Sequence, residues 1–444
     1  MKNSSIGYHT TSMFMKLTTK EIAELYKDFE NFAKETKELG IRPIRTNGAS
    51  PNADEFIKKL YSDFPKYDRM DYKSKNKGIR WDMRRRKNSP AFIKAKLVGE
   101  DKPCSIKAKI NPKVLTGETD SLSAATENCI KNVENIFNTE AERISPLLGK
   151  LEKYKYTRID FCFNADTQEL NIGCTPEQMM NLLKRANIPI GFTEWTVYDK
   201  TSHRMKSEEY SFYLMNNSVV INCYWKYKQL EHKHPNIPLL KDARYLIRFE
   251  VQCKYPKVYV MSRNIKNKSG CSNSDMINEM VSDDICHSVI QKYFHKIVRG
   301  GDYYTLNGAK RIVESHHFRW DKESRLIRTL ELVSDYRSIF KAKATLAGDK
   351  LDEFKRSLTD LDAISVNPVT IPRDWGIAYI PNLLDAYYNK LENGDASSLT
   401  FQNKRIISNY QATKRAMTCS DDEMYEAAAR EFRAKRGKKE KLYL

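Results

Sequence analysis

Two apolar stretches, YTRIDFCF at residues 156–163 and YLIRFEVQC at residues 245–253, decide the fold. Each carries an arginine and an acid two residues apart, and these pairs are Arg158 with Asp160 and Arg248 with Glu250. In an extended strand successive side chains point to opposite faces, so each arginine shares a face with its acid. The residues between and around these pairs are mainly apolar. The sequence therefore predicts two strands, each with one polar and one apolar face.

A third stretch, SVVINCYWKY at residues 218–227, has a similar pattern. Asn222, Tyr224 and Lys226 would share one face of an extended strand, and apolar residues would take the other. If the three strands lie side by side, their polar faces form one surface that holds two acids, two arginines and a phenol. Such a surface suits metal-assisted chemistry on a phosphodiester.

The composition indicates a folded protein with a polyanionic partner. The chain has 444 residues, of which 40% are hydrophobic, and a formal net charge of +19. A positive excess of this size favours nucleic acid, with an anionic membrane surface as the competitor. No apolar run approaches the roughly 18 residues that cross a bilayer, and the first residues lack the apolar core of a secretory signal. We therefore predict a cytoplasmic protein with no membrane partner.

The nine cysteines do not form a recognisable framework. They include no Cys-x-x-Cys pair. Cys162, Cys223 and Cys253 fall inside apolar strands, where cysteine behaves as a small hydrophobic residue. The sequence therefore predicts neither a zinc site nor a disulfide scaffold.

The order of patterns divides the chain into four regions and predicts an α+β fold. Residues 1–89 are a helical and basic N-terminal region, and residues 90–262 are an α+β sheet domain. Residues 275–418 are a helical domain for DNA binding or oligomerisation, and residues 419–444 are a basic helix and tail. A cluster of Gly, Asn and Ser near residues 264–274 marks the boundary after the sheet domain.

Several local elements follow from capping and periodicity. A helix over residues 16–40 has Thr18 or Thr19 as its cap and Gly40 as its stop, and Thr175 opens another helix with Pro176 at its first position. Strands are predicted at 91–97, 104–110 and, in the sequence KVYVM, at 257–261. Further helices are predicted at 54–64, 121–145, 284–298, 305–315, 322–346, 350–361 and 382–392.

Asp160 and Glu250 are the predicted metal ligands. Hard cations such as Mg²⁺ and Mn²⁺ prefer oxygen ligands, and a bound metal stabilises the charge that develops on a scissile phosphate. The alternative is structural, because Arg158 and Arg248 could each neutralise the acid two residues away. The residues by themselves leave both interpretations open.

Tyr213 and Tyr224 are the two candidate nucleophiles. A phenolate that attacks phosphorus leaves a phosphotyrosine and a free 3′ hydroxyl, and a nearby cation, base or metal must activate the phenol. Lys226 lies two residues from Tyr224, which places it on the same strand face. The sequence alone does not choose between the two tyrosines.

Two basic segments are predicted to bind nucleic acid. Lysine and arginine neutralise phosphates, and aromatic rings stack on unpaired bases. The alternative for each segment is a solvated run of charge. The helices between residues 301 and 361 similarly allow either a helix-turn-helix or ordinary helical packing. The predicted contact residues are Trp81, Arg84, Arg85, Arg86 and Lys87 in the first segment and Lys435, Arg436, Lys438 and Lys439 in the second.

The order of these motifs resembles the rolling-circle replication initiation factors of some Gram-positive plasmids, mobile elements and filamentous phages. In that family an early strand reads Arg-x-Asp, a central block reads Tyr-Leu-Gly-Ser and then Tyr-Asp-Lys, and a later strand reads Arg-x-Glu. Met215-Asn216 and Trp225 replace the family's Gly-Ser and Asp. The matching segments, within about residues 105–262, are Arg158-Ile159-Asp160, Tyr213-Leu214-Met215-Asn216, Tyr224-Trp225-Lys226 and Arg248-Phe249-Glu250.

The resemblance implies an antiparallel-sheet catalytic domain followed by an α-helical C-terminal region. It also implies a relaxase-like nick at an origin, with Asp160 and Glu250 near the metal and Tyr213 at the position of the family's tyrosine. The implied partner is origin DNA, single-stranded or as a supercoiled duplex. A homodimer and a host helicase are further partners that it leaves open.

The leading functional prediction is therefore a replication initiator or relaxase, a DNA-nicking endonuclease that uses Mg²⁺ or Mn²⁺ and a tyrosine. Arg158 and Arg248 would orient phosphates or the acids, and Lys226 would stabilise the pentavalent transition state. One alternative is a non-catalytic nucleic-acid-binding protein that uses the same sheet face. The other is a metal-dependent nuclease with water as its nucleophile.

Overall fold

The computed structural model describes residues 3–43, 69–74, 78–84, 104–118, 122–199, 204–206, 208–233, 237–269, 273–393 and 401–418. Its strands are β1 (Ser5–Leu17), β2 (Leu39–Pro43), β3 (Arg69–Ser74), β4 (Ile79–Arg84), β5 (Cys104–Ile110), β6 (Lys155–Asp166), β7 (Thr193–Glu194), β8 (Val197–Asp199), β9 (Arg204–Lys206), β10 (Ser211–Met215), β11 (Val219–Trp225), β12 (Leu246–Cys253), β13 (Tyr303–Tyr304) and β14 (Tyr379–Ile380).

Helices follow or separate these strands throughout the described residues. In chain order they are α1 (Thr19–Thr36), α2 (Pro112–Leu115), α3 (Ile130–Ile144), α4 (Pro176–Leu183), α5 (Lys226–Lys233), α6 (Tyr255–Ser269), α7 (Asn273–Glu279), α8 (Asp283–Val298), α9 (Leu306–Ser315), α10 (Trp320–Tyr336), α11 (Ile339–Ala344), α12 (Gly348–Ala363), α13 (Leu383–Glu392) and α14 (Phe401–Thr418). Short 3₁₀ turns occur at Glu127–Cys129, Pro146–Leu148, Leu151–Lys153, Pro238–Leu240 and Arg373–Trp375.

One ten-stranded sheet organises the described part of the chain, so the α+β prediction is confirmed. Its strand order is β2-β3-β4-β5-β1-β6-β12-β11-β10-β7, and each neighbouring pair is antiparallel. β1 lies near the middle of this order, between β5 and β6. The sheet therefore begins at Ser5, whereas the sequence analysis predicted a sheet domain that starts at residue 90.

β1 escaped prediction because its alternation is interrupted. The register with β6 shifts between Tyr8 and Thr10 and again between Ser12 and Met13. A β-bulge of this kind puts an extra residue in one strand and reverses the alternation beyond it. His9 is the residue inside the first bulge, so a search for strict period-two patterning passes over the segment.

Helices cover the apolar face of the sheet, which carries Phe163 and Phe249. Both rings pack against Phe294 of α8, with ring centroids 5.9 and 5.2 Å apart. Towards the other end of the sheet, Trp81 of β4 packs against Phe137 of α3 at 5.3 Å. The helices therefore lie on the apolar face and leave the Arg-x-acid pairs on the opposite one, here called the polar face.

Gly7 of β1 allows a close backbone approach that no other residue permits. Tyr8 and Ala125 exchange two backbone hydrogen bonds of 2.9 and 3.0 Å. A Cβ at Gly7 would lie 2.1 Å from the carbonyl oxygen of Ala125 and 3.0 Å from the Cβ of Ala124. The segment at residues 124–125 can therefore stay beside β1 only while residue 7 has no side chain.

We expect Gly7→Ala to lower the free energy of unfolding by about 2–3 kcal/mol, the upper part of the range for overpacked sites. Chemical denaturation followed by circular dichroism measures this change. Glu142→Ala, on the exposed face of α3, is the surface control, with an expected effect within about 0.5 kcal/mol. An unchanged denaturation midpoint for Gly7→Ala would show that residues 124–125 separate from β1 at little cost.

The predicted caps are confirmed, but one predicted helix end and one predicted strand are wrong. Thr18 and Thr175 each form a capping box. α1 ends at Thr36, because Lys37 adopts a left-handed conformation and residues 39–43 pair with β3. The KVYVM segment belongs to α6, where Pro256 stands in the first turn and the buried residues recur with helical spacing.

The long helix predicted over residues 322–346 is two helices. Arg337 has a φ of 50°, which ends α10, and the Ser338 hydroxyl then accepts a hydrogen bond from the Lys341 amide to begin α11. Periodicity alone continues smoothly through such a break, which explains the error. Nearby, α9, α10 and α12 share a small core of their own, which consists of Ala309, Val313, Leu326, Leu330, Leu361 and Val366.

Some predictions lie outside the described residues. They are the helix over 54–64, the strand over 91–97, and the basic helix and tail over 419–444. Within the described ranges, no helix combines the length and the apolar character that a bilayer crossing requires.

Candidate functional site on the polar face of the sheet

The strand register brings the predicted residues onto one surface. Glu250 pairs with Asn222 on one side and Cys162 on the other, and Tyr213 pairs with Asn222. Two residues further along β12, Gln252 pairs with Asp160. Residues paired across antiparallel strands point to the same face. Tyr213, Glu250 and Asp160 therefore share the polar face across the neighbouring strands β10, β11, β12 and β6.

Arg158 and Asp160 form a two-pronged ion pair. The Arg158 Nε and Nη2 atoms donate to the two Asp160 carboxylate oxygens over 2.6 and 2.7 Å. Asp160 is buried, whereas about a third of the Arg158 side chain is exposed, at 33%. Burial raises the pKa of Asp160 above its ordinary value, and Arg158 acts in the opposite direction. The outer side of the Arg158 guanidinium thus presents positive charge at the surface.

Arg248 occupies a different environment from Arg158, although the two phrases look alike in sequence. Its side chain is only 3% exposed. Nε donates to Asn164 Oδ1 over 2.6 Å and Nη2 donates to the Leu122 carbonyl over 2.8 Å. Nη1 lies 3.8 Å from Glu250 Oε1. These contacts hold the segment at Leu122 over the sheet, so Arg248 is placed to stabilise the fold beneath the site.

Glu250 and Tyr224 are joined below the surface. The Tyr224 hydroxyl donates to Glu250 Oε1 over 2.8 Å, and both residues are buried, at 5% and 6% exposure. Burial and the neighbouring Glu250 carboxylate raise the pKa of Tyr224 far above its ordinary value. Burial also acts to raise the pKa of Glu250, but Arg248, the Tyr224 hydroxyl and Lys226 act to lower it, and the pKa lies below its ordinary value. Tyr224 is therefore a buried donor to a carboxylate.

Tyr213 is the more accessible of the two tyrosines. It lies on β10 and is half-buried. Burial and the Glu250 carboxylate raise its pKa, whereas the Arg158 guanidinium and the Gln252 amide act to lower it. A phenol that reaches solvent beside an arginine is better placed than Tyr224 to meet a phosphate, since the guanidinium stabilises negative charge on both groups.

Lys226 reaches the site from a helix. β11 ends at Trp225, and Lys226 is the first residue of α5, so the strand predicted over residues 218–227 ends before it. Its Nζ still lies 5.7 Å from the centroid of the Tyr224 ring and donates to Gln229 Oε1 over 2.8 Å. The Lys226 ammonium group therefore lies near Tyr224, as predicted, although the backbone changes from strand to helix between the two residues.

His9 is a site residue that the sequence analysis missed. Its charged neighbours are Arg248, Glu250 and Lys226, and burial lowers its pKa to about 4, so the imidazole is neutral at pH 7. The Thr10 hydroxyl and His9 Nδ1 lie 3.0 Å apart. Nothing in the local sequence marks His9, because only the bulge in β1 turns it towards Glu250.

The carboxylates of the polar face could bind a metal ion only through a single free oxygen together with a substrate phosphate. Among the described residues, no three His, Cys, Asp or Glu side chains are close enough together to hold an ion. Both Asp160 oxygens accept from Arg158, and Glu250 Oε1 accepts from Tyr224. Mg²⁺ is commonly held by one or two carboxylates together with substrate phosphates. Glu250 Oε2, to which no described residue donates a hydrogen bond, suits that arrangement.

Of the predicted nucleic-acid contacts, only Trp81 and Arg84 lie within the described residues. The prediction for Trp81 is wrong, because its indole is fully buried in the core against Phe137. An alternating strand explains this, since Ile79, Trp81 and Met83 all face the helices. Arg84 is the last residue of β4. The other predicted contacts, Arg85, Arg86, Lys87, Lys435, Arg436, Lys438 and Lys439, lie outside the described residues.

The chain matches no protein-family model and no curated protein. Among solved structures it is similar to a rolling-circle replication initiator protein from Geobacillus stearothermophilus. The two share 10% identity with a TM-score of 0.32, over 66% of this chain and 85% of that chain. At this TM-score the likeness does not establish a common fold or function.

Proposed function

We propose that the protein nicks DNA through a covalent tyrosine intermediate, as a replication initiator or relaxase does, with Tyr213 as the nucleophile. The observation that carries the proposal is the position of Tyr213. It is a half-buried phenol on the polar face, with Arg158 and Gln252 acting on its hydroxyl. Two carboxylates lie on the same face, Glu250 two strands away on β12 and Asp160 three strands away on β6. The net charge of +19 supports DNA as the substrate.

In this proposal the exposed residues contact the DNA, and the buried residues hold the carboxylates in place. At the surface, Arg158 binds the scissile phosphate and stabilises the phenolate form of Tyr213. The phenol loses its proton to solvent, a bond forms between Tyr213 Oη and phosphorus, and the bond from phosphorus to the 3′ oxygen breaks. That oxygen gains a proton and becomes a free 3′ hydroxyl. Lys226 adds positive charge near the phosphate as the pentavalent transition state forms.

Below the surface, buried residues hold the carboxylates in position. Tyr224 and Arg248 fix Glu250, and Arg158 fixes Asp160. Mg²⁺ or Mn²⁺ bound by Glu250, with Asp160, would withdraw charge from the phosphate. This part of the proposal predicts a divalent-ion requirement.

Incubation of the protein with labelled single-stranded and supercoiled DNA tests the proposal. We expect Mg²⁺- or Mn²⁺-dependent cleavage and a protein–DNA adduct that survives denaturation, with the linkage mapped to residue 213 by mass spectrometry. Chelation should abolish the adduct, and readdition of Mn²⁺ should restore it. Cleavage with no adduct under any condition would instead indicate a nuclease with a water nucleophile.

One observation favours a second function, a non-catalytic nucleic-acid-binding protein. The Arg158–Asp160 pair already satisfies both oxygens of a predicted metal ligand, as a structural ion pair would. Under this function, DNA binding is salt-sensitive and needs no metal, and no adduct forms. Asp160→Asn would then change stability without changing DNA affinity.

A further inference from the structure

A row of basic side chains continues the polar face beyond the proposed nicking site. Arg80 of β4 pairs with Lys109 of β5, Lys109 pairs with Ser12 of β1, and Ser12 pairs with Arg158 of β6. Neighbouring strands lie about 4.8 Å apart, so Arg80 and Arg158 stand about 14 Å apart across the sheet. Lys109 is exposed, and Arg80 and Arg158 are partly exposed.

The charges of these groups act on one another. The base of the Lys109 side chain is partly buried, which lowers the pKa of its ammonium group; Arg158 and Arg80 lower this pKa further, and Asp160 acts against them. Lys109 therefore lies between the two arginines and within reach of the Arg158–Asp160 pair. Like charges held this close favour a polyanion, because each phosphate that binds relieves their mutual repulsion.

Phe14 lies next to this row on the same face. It pairs with Lys107 on one side and Lys155 on the other, and it is half-buried while Lys155 is exposed. The Phe14 ring is therefore a partly exposed apolar group between two lysines, on the face opposite the one that packs in the core. It has the composition of a platform on which an unpaired base stacks while lysines bind the flanking phosphates.

A groove of about 410 Å³ extends from Phe14 at the end of β1. Three lysines line it, namely Lys16, Lys153 and Lys155. Glu21 is the acid in the lining, and its carboxylate accepts a hydrogen bond from the Thr18 amide in the capping box of α1. The groove is therefore positive in balance and continuous with the Phe14 platform.

We propose that single-stranded DNA crosses the polar face from Tyr213 over Arg158 and Lys109, stacks a base on Phe14 and enters the lysine-lined groove. The end of this track at Tyr213 rests on the proposed nicking function, whereas the binding along Lys109, Phe14 and the groove does not. Single strands fit better than duplex, because a base within duplex DNA is not available to stack on Phe14.

Binding is measured in the Tyr213→Phe background, where no adduct through Tyr213 can form. Fluorescence anisotropy with labelled oligothymidylate should show an affinity about tenfold weaker for Phe14→Ala, consistent with the loss of one stacked base. Lys109→Gln with Lys155→Gln should reduce the slope of log affinity against log salt by about 1.4, the loss of two phosphate contacts. Phe14→Tyr, which keeps the ring, should bind like the parent.

The control is Lys350→Gln with Lys390→Gln, two exposed lysines on helices α12 and α13, which should leave both affinity and salt slope unchanged. If the Phe14→Ala and lysine variants bind oligothymidylate as tightly as the parent does, the proposed binding track is wrong. This holds even if the protein with Tyr213 intact forms covalent adducts. Tighter binding of duplex than of oligothymidylate, insensitive to Phe14→Ala, would overturn the single-strand assignment. Weakened binding by these variants without any adduct at Tyr213 would support the track and reject the nicking function.

Discussion

Tyr213→Phe should abolish the covalent protein–DNA adduct and lower the rate of strand cleavage by at least about 10³-fold, as removal of an enzymatic nucleophile does. The substitution deletes one hydroxyl from a half-buried side chain and leaves the ring in place. The fold should therefore be preserved, and circular dichroism should superimpose on the parent protein. Cleavage of an end-labelled single-stranded oligonucleotide, quantified on a denaturing gel, measures the effect.

Tyr224→Phe is the matched control, because it deletes the same atom from the other candidate. Its hydroxyl donates to the buried Glu250 carboxylate, and a hydrogen bond to a charged group contributes about 1.5–3 kcal/mol. We expect a less stable protein that still forms the adduct, with a rate reduced by no more than about tenfold. An adduct that persists in Tyr213→Phe and disappears in Tyr224→Phe would exchange the two roles.

Arg248→Met should lower the free energy of unfolding by about 3–5 kcal/mol, as breaking one partner of a buried charged network does. The variant leaves Asn164 Oδ1 and the Leu122 carbonyl without their donors and removes the nearest cation from Glu250. The Leu122 segment should also separate from the sheet. Urea denaturation measures the stability, and hydrogen exchange at residues 122–125 measures the local effect.

Arg263→Met, on an exposed position of α6, is the matched control and should change stability by no more than about 0.5 kcal/mol. From the sequence, Arg248 is predicted to orient either a phosphate or the neighbouring acid. If Arg248→Met unfolds at the same urea concentration as the parent and yet forms no adduct, that assignment is supported and the structural role is rejected.

The strands around the site could be predicted because their patterns are local. Residues 158–163 and 246–253 alternate without interruption, and β6 and β12 contain the Arg-x-acid phrases as expected. The capping boxes at Thr18 and Thr175 could also be predicted, since a cap depends on residues three positions apart. By contrast, β1 was missed because the bulge at His9 breaks its alternation.

The predictions for Trp81 and for residues 322–346 were wrong for a similar physical reason. Trp81 looked like a base-stacking residue because arginines surround it in sequence. In the sheet Arg80 lies on the other face and Arg84 is the last residue of β4, whereas the indole is buried in the core. The helical break at Arg337 has no signature in periodicity, because one residue in a left-handed conformation changes the direction of the chain without changing the pattern.

The sequence by itself determined which side chains share a face, because alternation in a strand is a property of the local backbone. Thus Arg158 stays with Asp160, and Arg248 with Glu250. Only the tertiary structure decided how deep each one lies. The Leu122 segment covers Arg248, whereas Arg158 and Tyr213 remain at the surface. Burial depends on segments that are distant in sequence, so of two similar Arg-x-acid phrases one places its arginine at the surface and the other buries it.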